Sequence, residues 1–310
     1  MEIKSIFISE KQAGLLIKEE LLKVYPELEV IVNDGKLTFL PHTDAYIGFG
    51  PILDFDKHHY KWIHCLAAGV DRFTQSINIP KETILTRTIN PNVAYQIAYF
   101  CLSYILAIEN NLFAYYDSQK NKLWDKKLAK HFFSNKKVLI FGTGEIGKKI
   151  AIILKSIGFT VLGVSRSGQK QDSFDKVYPV SNFDEVLKDI DWIINIMPLT
   201  IETTYFFNKD FFSKLSNVSF INVGRGKSVN EQDLLDSLEN GNINYAVLDV
   251  QEIEPLPENS PLWEHKKVFI TPHIAGVLDF IMASKTIPII LQKIKNNEEI
   301  NCQVDLIKQY

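Results

Sequence analysis

A continuous apolar strand that runs directly into a glycine turn and then a helix leaves a chain few folds to adopt. Residues 137–156 of this 310-residue sequence form such a segment. Val138-Leu139-Ile140-Phe141 is an unbroken apolar run, expected of a parallel strand covered on both faces. Gly142-Thr143-Gly144-Glu145-Ile146-Gly147 follows at once, and the pattern predicts a helix over 146–156. The alternation then repeats, with strands predicted at 160–164, 192–196, 219–223, 245–248 and 268–271 and helical segments such as Glu231–Glu239 between them. Strand and helix alternating over this length predict a doubly wound parallel sheet.

The first third reads as a smaller α/β region. It has a strand at 3–8, an amphipathic helix at Lys11–Val24, a buried strand at 45–49 and an apolar run at 62–66. Asn90-Pro91-Asn92 marks a break and a helix start, and a single helix over 92–116 is apolar on most sides. The expected fold class is therefore α/β with two domains. A Rossmann-type sheet, 91–274, is inserted into a flavodoxin-like α/β domain built from 1–90 and 275–310. A formal net charge of −3 offers no basic field, so no nucleic-acid partner is expected. Three cysteines, far apart and without a CxxC, point to no disulfide framework, no metal and a reducing, cytoplasmic setting. The N-terminus lacks a signal-peptide core, and the apolar run 93–107, interrupted by Gln96 and Ser103, is too short and polar to span a bilayer.

The glycine segment fits a dinucleotide site. Gly142 makes the tight turn, Gly144 admits a pyrophosphate, Gly147 allows close helix–strand packing, and the helix N-terminus offers N–H groups to an anion. Gly142 to Lys148 also fits the start of a P-loop, but Lys149 stands where that motif needs Ser or Thr for Mg²⁺. The second strand ends Ser165-Arg166-Ser167, without the acid that would bind a ribose 2′-hydroxyl. A guanidinium pairs with a 2′-phosphate, so NADP(H) is the preferred cofactor and NAD(H) remains open.

Further along come Ala67-Ala68-Gly69-Val70-Asp71, Pro198-Leu199-Thr200 with Glu202-Thr203, Asn222-Val223-Gly224-Arg225-Gly226, Leu248-Asp249-Val250, Glu254-Pro255-Leu256-Pro257, Pro261-Leu262-Trp263 and Thr271-Pro272-His273. In this order, with the glycine motif, they resemble the D-isomer-specific 2-hydroxyacid dehydrogenase family over nearly the whole chain. The chain is most similar to the glyoxylate/hydroxypyruvate reductase branch. The resemblance implies a 2-oxo or 2-hydroxy acid as substrate and three catalytic groups. Arg225 clamps the carboxylate and polarises the carbonyl, His273 exchanges a proton with the substrate oxygen, and Glu254 holds that imidazole and stabilises its charged form. It implies substrate contacts at Phe49 and at the backbone of Ala68, Gly69 and Val70. Cofactor contacts are implied at Gly142, Gly144, Glu145, Ile146, Gly147, Ser165, Arg166, Ser167, Pro198, Thr203, Val223, Gly224, Asp249 and His273. A homodimer joined by the helix 92–116 and a cleft that closes through crossings near Asn90 and Ile274 also follow. Trp124 either reaches a neighbouring subunit's site or packs on its own helix. The chain departs from the family pattern at Tyr95, where many members have glutamate, and after His273, where Ile274-Ala275-Gly276-Val277-Leu278 lacks the usual Ser/Thr-rich continuation.

Two rival readings differ in class. The same fold serves as a non-catalytic dinucleotide sensor, against which Arg225, Glu254 and His273 weigh. An NAD-linked D-lactate or phosphoglycerate dehydrogenase is disfavoured by Ser165-Arg166. Glyoxylate, hydroxypyruvate and larger 2-oxo acids differ by a few atoms, and the sequence leaves the choice among them open.

Overall fold

The computed structural model describes residues 1–35, 40–127 and 135–309. In chain order the first elements are β1 (Ser5–Ile8), α1 (Lys11–Val24), β2 (Glu29–Val32), β3 (Ala45–Gly48), β4 (Trp62–Cys65), α2 (Asp71–Thr74) and β5 (Ile84–Arg87). Then come α3 (Pro91–Glu109), α4 (Leu112–Lys120), β6 (Lys137–Phe141), α5 (Glu145–Ser156), β7 (Thr160–Ser165), β8 (Lys176–Pro179) and β9 (Trp192–Asn195). The last are α6 (Lys209–Phe212), β10 (Val218–Asn222), α7 (Glu231–Glu239), β11 (Ile243–Leu248), β12 (Val268–Ile270) and α8 (Phe280–Asn296).

The chain divides into two compact units, one of Met1–Asn90 with Leu278–Tyr310 and one of Pro91–Val277. The second crossing thus falls after Val277, a little later than the sequence placed it. In the first unit a five-stranded parallel sheet runs β2-β1-β3-β4-β5, the flavodoxin-like order. The buried residues Ala13, Ile17 and Leu21 of α1 share a core with Ile287, Leu291 and Ile294 of α8.

In the second unit seven parallel strands run β12-β11-β10-β9-β6-β7-β8. The order reverses between β6 and β9, which is where an open α/β sheet offers a ligand crevice at its carboxyl edge. Val138, Leu139, Ile140 and Phe141 are fully buried, as a strand covered on both faces requires. One helix layer is sealed by aromatics. Phe207 stands 5.1 Å from Phe141, 4.8 Å from Phe211 and 5.0 Å from Phe220, ring centre to ring centre, in edge-on contacts.

The structure corrects the sequence reading in three places. The helix expected over 92–116 is two helices, because Asn111 takes a left-handed φ of 54° and ends the first. Asparagine tolerates that conformation, and the apolar residues on either side concealed the break. The apolar run 93–107 extends into the 19-residue α3, which by length and composition is long enough to cross a membrane. Its residues Ala98, Cys101 and Ile105 are buried in one cluster with Ile150, Ala151 and Leu154 of α5. Three strands went unread, namely β2, β5 and β8, and each lies at the edge of its sheet. Edge strands are short, pair on one side only and show weak apolar patterning.

Replacing Phe207 by alanine removes a fully buried ring from the aromatic layer. The expected loss is about 3–5 kcal/mol, read as a lower urea midpoint for the variant. A midpoint equal to the parent's would show that the layer does not depend on this ring.

Candidate active site

The glycine turn sits at the reversal of strand order. Gly142 has a φ of 108°, out of reach of most side chains. A Cβ on Gly147 would overlap the Gly142 carbonyl oxygen, so the third glycine lets α5 start against the strand end. A Cβ on Gly144 would meet nothing within 4 Å, so space is open at the helix N-cap. No side chain caps α5 there, which leaves its first-turn N–H groups available to an anion. Glu145 and Ile146 form that first turn, and Glu145 pairs with Lys148 at 3.1 Å. These features fit a dinucleotide pyrophosphate.

At the end of β7 the loop is shaped by its serines. Ser165 Oγ accepts the Gly168 N–H at 3.1 Å and Ser167 Oγ accepts the Gln169 N–H at 3.3 Å. Arg166 lies between them and is exposed. The turn after β9 is likewise closed on itself. Thr203 Oγ1 donates to the Pro198 carbonyl at 2.7 Å and accepts the Thr200 N–H at 2.8 Å.

Arg225 follows β10 and is flanked by glycines that have no room for a side chain. A Cβ on Gly224 would press on the Met197 carbonyl at 3.0 Å, and one on Gly226 would overlap the Gln251 carbonyl. Beneath the loop lies a buried amide–hydroxyl network. Asn195 Nδ2 donates to Asn222 Oδ1 at 2.9 Å and Ser228 Oγ at 2.7 Å. Asn222 Nδ2 and Ser228 Oγ donate to the Arg225 carbonyl at 3.2 and 2.5 Å. Buried polar groups that satisfy one another in this way hold a backbone rigidly. Arg225 Nη1 donates to the Gly224 carbonyl at 2.9 Å, and Val223 N–H donates to the Asn195 carbonyl at 3.1 Å.

Glu254 and His273 come from the loops after β11 and β12. His273 Nδ1 lies 2.9 Å from Glu254 Oε2, and Gln251 N–H donates to Glu254 Oε1 at 3.2 Å. Burial pushes the Glu254 carboxyl up. The hydrogen bond and charge of His273, the Gln251 amide and the charge of Arg225 outweigh it and hold the carboxyl below its ordinary value. An ionised carboxylate only accepts, so Nδ1 carries the proton and Nε2 is left to meet a substrate oxygen. His273 has a φ of 56°, an uncommon backbone held by Asp249. The Asp249 carboxylate, 2% exposed, accepts from Thr271 Oγ1 at 2.6 Å, Ile274 N at 2.8 Å and Ala275 N at 2.9 Å. The residues after His273 that lack hydroxyl side chains are thus held through their backbone.

The remaining expected residues lie in the first unit. Phe49 is partly buried against its core. Val70 is 2% exposed, so only its backbone is left to meet a ligand. Ala68 is exposed, and its carbonyl accepts from Arg87 Nη1 at 3.0 Å, while the Gly69 carbonyl accepts from Cys65 Sγ at 3.4 Å.

Residues 102–275 match the family model described as D-isomer specific 2-hydroxyacid dehydrogenase, NAD binding domain. The chain is 33% identical over 228 residues, 72% of each chain, to glyoxylate/hydroxypyruvate reductase A of Serratia proteamaculans (strain 568). It is 30% identical over 276 residues to the reductase of the same name from Salmonella paratyphi B (strain ATCC BAA-1250 / SPB7), covering 87% of this chain and 88% of that one. The chain belongs to the D-isomer-specific 2-hydroxyacid dehydrogenases. It is an NAD(P)-dependent oxidoreductase of 2-oxo and 2-hydroxy acids. Among solved structures, the family member from Xanthobacter autotrophicus Py2, in complex with NADPH and MES, superposes with a TM-score of 0.88 at 28% identity and full coverage of both chains. The NADPH-dependent glyoxylate/hydroxypyruvate reductase of Sinorhizobium meliloti, in complex with NADP and sulfate, gives 0.88 at 26% identity over 99% of this chain and 100% of that one.

For a dehydrogenase of this family, the sequence reading overlooked the supports of the site. Asn195, Ser228, Gln251 and the acids Glu231 and Glu252 carry no motif of their own, and Thr271, though part of Thr271-Pro272-His273, was given no role. Asn195 gave a faint signal as the polar residue that ends an otherwise apolar strand.

The lowered carboxyl of Glu254 has a consequence for stability. A depressed folded value means that the ionised form stabilises the fold above the ordinary carboxylate range, and that this contribution is lost as pH falls through the folded value. The melting-temperature advantage of the parent over Glu254→Gln should therefore shrink as the pH drops below about 4.3, the ordinary glutamate value. A difference that stays constant across the acid range would contradict the assigned pairing.

Proposed function

We propose that the chain reduces a small 2-oxo acid, glyoxylate or hydroxypyruvate, to the D-2-hydroxy acid with NADPH in preference to NADH. The observation that carries this reading is the 2.9 Å contact of His273 Nδ1 with Glu254, with the charge of Arg225 acting on the same carboxylate. When bound, the reduced nicotinamide supplies a hydride to the carbonyl carbon. Arg225 offers a planar fork to the substrate carboxylate and polarises the carbonyl, which a lysine's point charge does not reproduce. His273, with Nδ1 held by Glu254, delivers a proton from Nε2 to the oxygen that becomes an alkoxide. Glu254 keeps the ring in line and balances its positive charge. The first-turn N–H groups of α5 take the pyrophosphate. Arg166, on a loop with no acid at Ser165, takes a 2′-phosphate. The NADP-bound relatives from Xanthobacter and Sinorhizobium support that preference.

The test is a panel of 2-oxo acids assayed separately with NADPH and NADH. NADPH should be preferred, and Arg166→Ala should raise the KM for NADPH far more than that for NADH. His273→Ala should lose about 10²–10⁴-fold in turnover while still binding NADPH. Equal use of both cofactors would overturn the cofactor assignment, and full turnover by His273→Ala would overturn the proton donor.

We further propose a homodimer. Tyr95, Tyr99, Leu112 and Tyr116, on α3 and α4, are 40%, 55%, 54% and 58% exposed, large apolar side chains that a second copy would cover. Analytical ultracentrifugation should give twice the chain mass, and Tyr99→Glu should shift the protein toward monomer. A monomeric parent at micromolar concentration would contradict the proposal.

A further inference from the structure

Three loops leave the carboxyl ends of β9, β10 and β11, and two acidic residues outside the proposed chemistry join them. Glu231 is the first residue of α7, and Glu252 lies two residues before Glu254. Each carboxylate accepts the other's backbone N–H. Glu252 N donates to Glu231 Oε1 at 2.8 Å, and Glu231 N donates to Glu252 Oε1 at 2.9 Å. The second oxygen of Glu252 accepts the Tyr205 hydroxyl at 3.0 Å. Tyr205 has a φ of 50°, and its backbone N–H donates at 2.8 Å to the carbonyl of Lys227, two residues beyond Arg225. A non-glycine residue keeps such a backbone only where its surroundings over-determine it.

Two acids side by side repel each other. Burial, followed by the charge of Glu252, raises the Glu231 carboxyl, and the Glu252 N–H only partly offsets this. The arrangement persists because each carboxylate meets the other's backbone N–H, with Glu231 in the first turn of α7, where a helix favours negative charge.

The consequence runs along consecutive bonds. Glu252 is fixed to Glu231. The preceding residue, Gln251, donates its N–H to Glu254 Oε1, and Glu254 Oε2 holds His273 Nδ1. On the other side, Gly226, next to Arg225, lies so close to the Gln251 carbonyl that no side chain fits. The loop of Arg225 and the loop of Glu254 are therefore in backbone contact and tied together at Glu231–Glu252.

We infer that Glu231, Glu252 and Tyr205 are positioning residues, a brace that sets Arg225 against the Glu254–His273 pair so that carbonyl polarisation and proton delivery act on one substrate. The inference rests on the proposed roles of Arg225, Glu254 and His273. The brace residues bond to one another and are not among the groups assigned to substrate or cofactor. Loss of the brace should therefore show in kcat for the 2-oxo acid and not in the binding of NADPH.

The experiment compares Glu252→Ala, Glu252→Gln and Tyr205→Phe with the parent, using Arg225→Lys and His273→Ala as references. The readings are kcat and KM for glyoxylate, the NADPH dissociation constant from fluorescence titration, and the melting temperature. Glu252→Ala should lower kcat by about 10- to 100-fold, the scale of a misplacement near 1 Å, with NADPH binding unchanged. Glu252→Gln keeps an oxygen for the Glu231 N–H and a polar partner for Tyr205, so it should restore most of kcat. Tyr205→Phe should fall between the two. Parent-like kcat in Glu252→Ala, with both reference variants impaired, overturns the brace alone. Parent-like turnover in Arg225→Lys and His273→Ala overturns the assignment beneath it. Equal losses of kcat in Glu252→Ala and Glu252→Gln, tracking a fall in melting temperature, would reduce the brace to a folding role and also overturn the inference. If Glu252→Ala does not fold, Tyr205→Phe decides, since it removes a single hydroxyl, and an unchanged kcat there overturns the inference.

Discussion

One buried carboxylate underlies the arrangement at the carboxyl edge of the larger sheet. Asp249 directly follows β11, its backbone N–H donates to the Asn222 carbonyl at 3.0 Å, and its two oxygens gather Thr271, Ile274 and Ala275. The Asp249 carbonyl also accepts the His273 N–H at 2.8 Å. A carboxylate so far from water is tolerated only when its lone pairs are satisfied. Here that satisfaction is what bends the chain after β12 into the left-handed conformation of His273. Asp249 was expected at the cofactor. Its carboxylate is engaged with the histidine loop, which makes it the structural anchor of the proposed proton donor.

Close backbone contact provides the second constraint. Where Gly147 meets Gly142, the helix starts against the strand end and its N–H groups converge on one spot. Where Gly226 meets Gln251, the loop that presents Arg225 lies directly on the loop that presents Glu254. Glycine is needed at these points for space, since neither Gly147 nor Gly226 has a positive φ. The result is electrostatic preorganisation. The backbone that presents the guanidinium is held by the neutral network Asn195–Asn222–Ser228, the carboxylate by Gln251, and the loop of the imidazole by the Asp249 carboxylate. Groups fixed in this way need little reorganisation when charge develops on a substrate oxygen.

Much of this was legible in the sequence. The central strands of both sheets, α1 and α7 at their full lengths, and the glycine turn with its helix all follow from local patterning, because residues a few positions apart decide them. Three of the four edge strands, β2, β5 and β8, were not legible, whereas the edge strand β12 was. β8 ends in a proline and β2 begins on an exposed glutamate, and their strand character comes from pairing with a neighbour already in place. The break at Asn111 was hidden for a related reason. Apolar residues on both sides extend the helical pattern, and only a backbone φ records the turn.

For the site, the sequence by itself determined which chemical groups are present and in what order. A fork-bearing cation after one strand, a carboxylate and a histidine after two others, and a glycine turn without a following acid are all readable as strings. Only the tertiary structure decided what holds them. Glu231 and Glu252 are 21 residues apart, Asn195 and Ser228 are 33 apart, and Asp249 and Ala275 are 26 apart. Parallel strands joined by crossovers bring all their carboxyl ends to one edge, so loops distant in sequence become neighbours there. A hydrogen bond formed across that edge depends on strand order and register, which no local pattern of residues specifies.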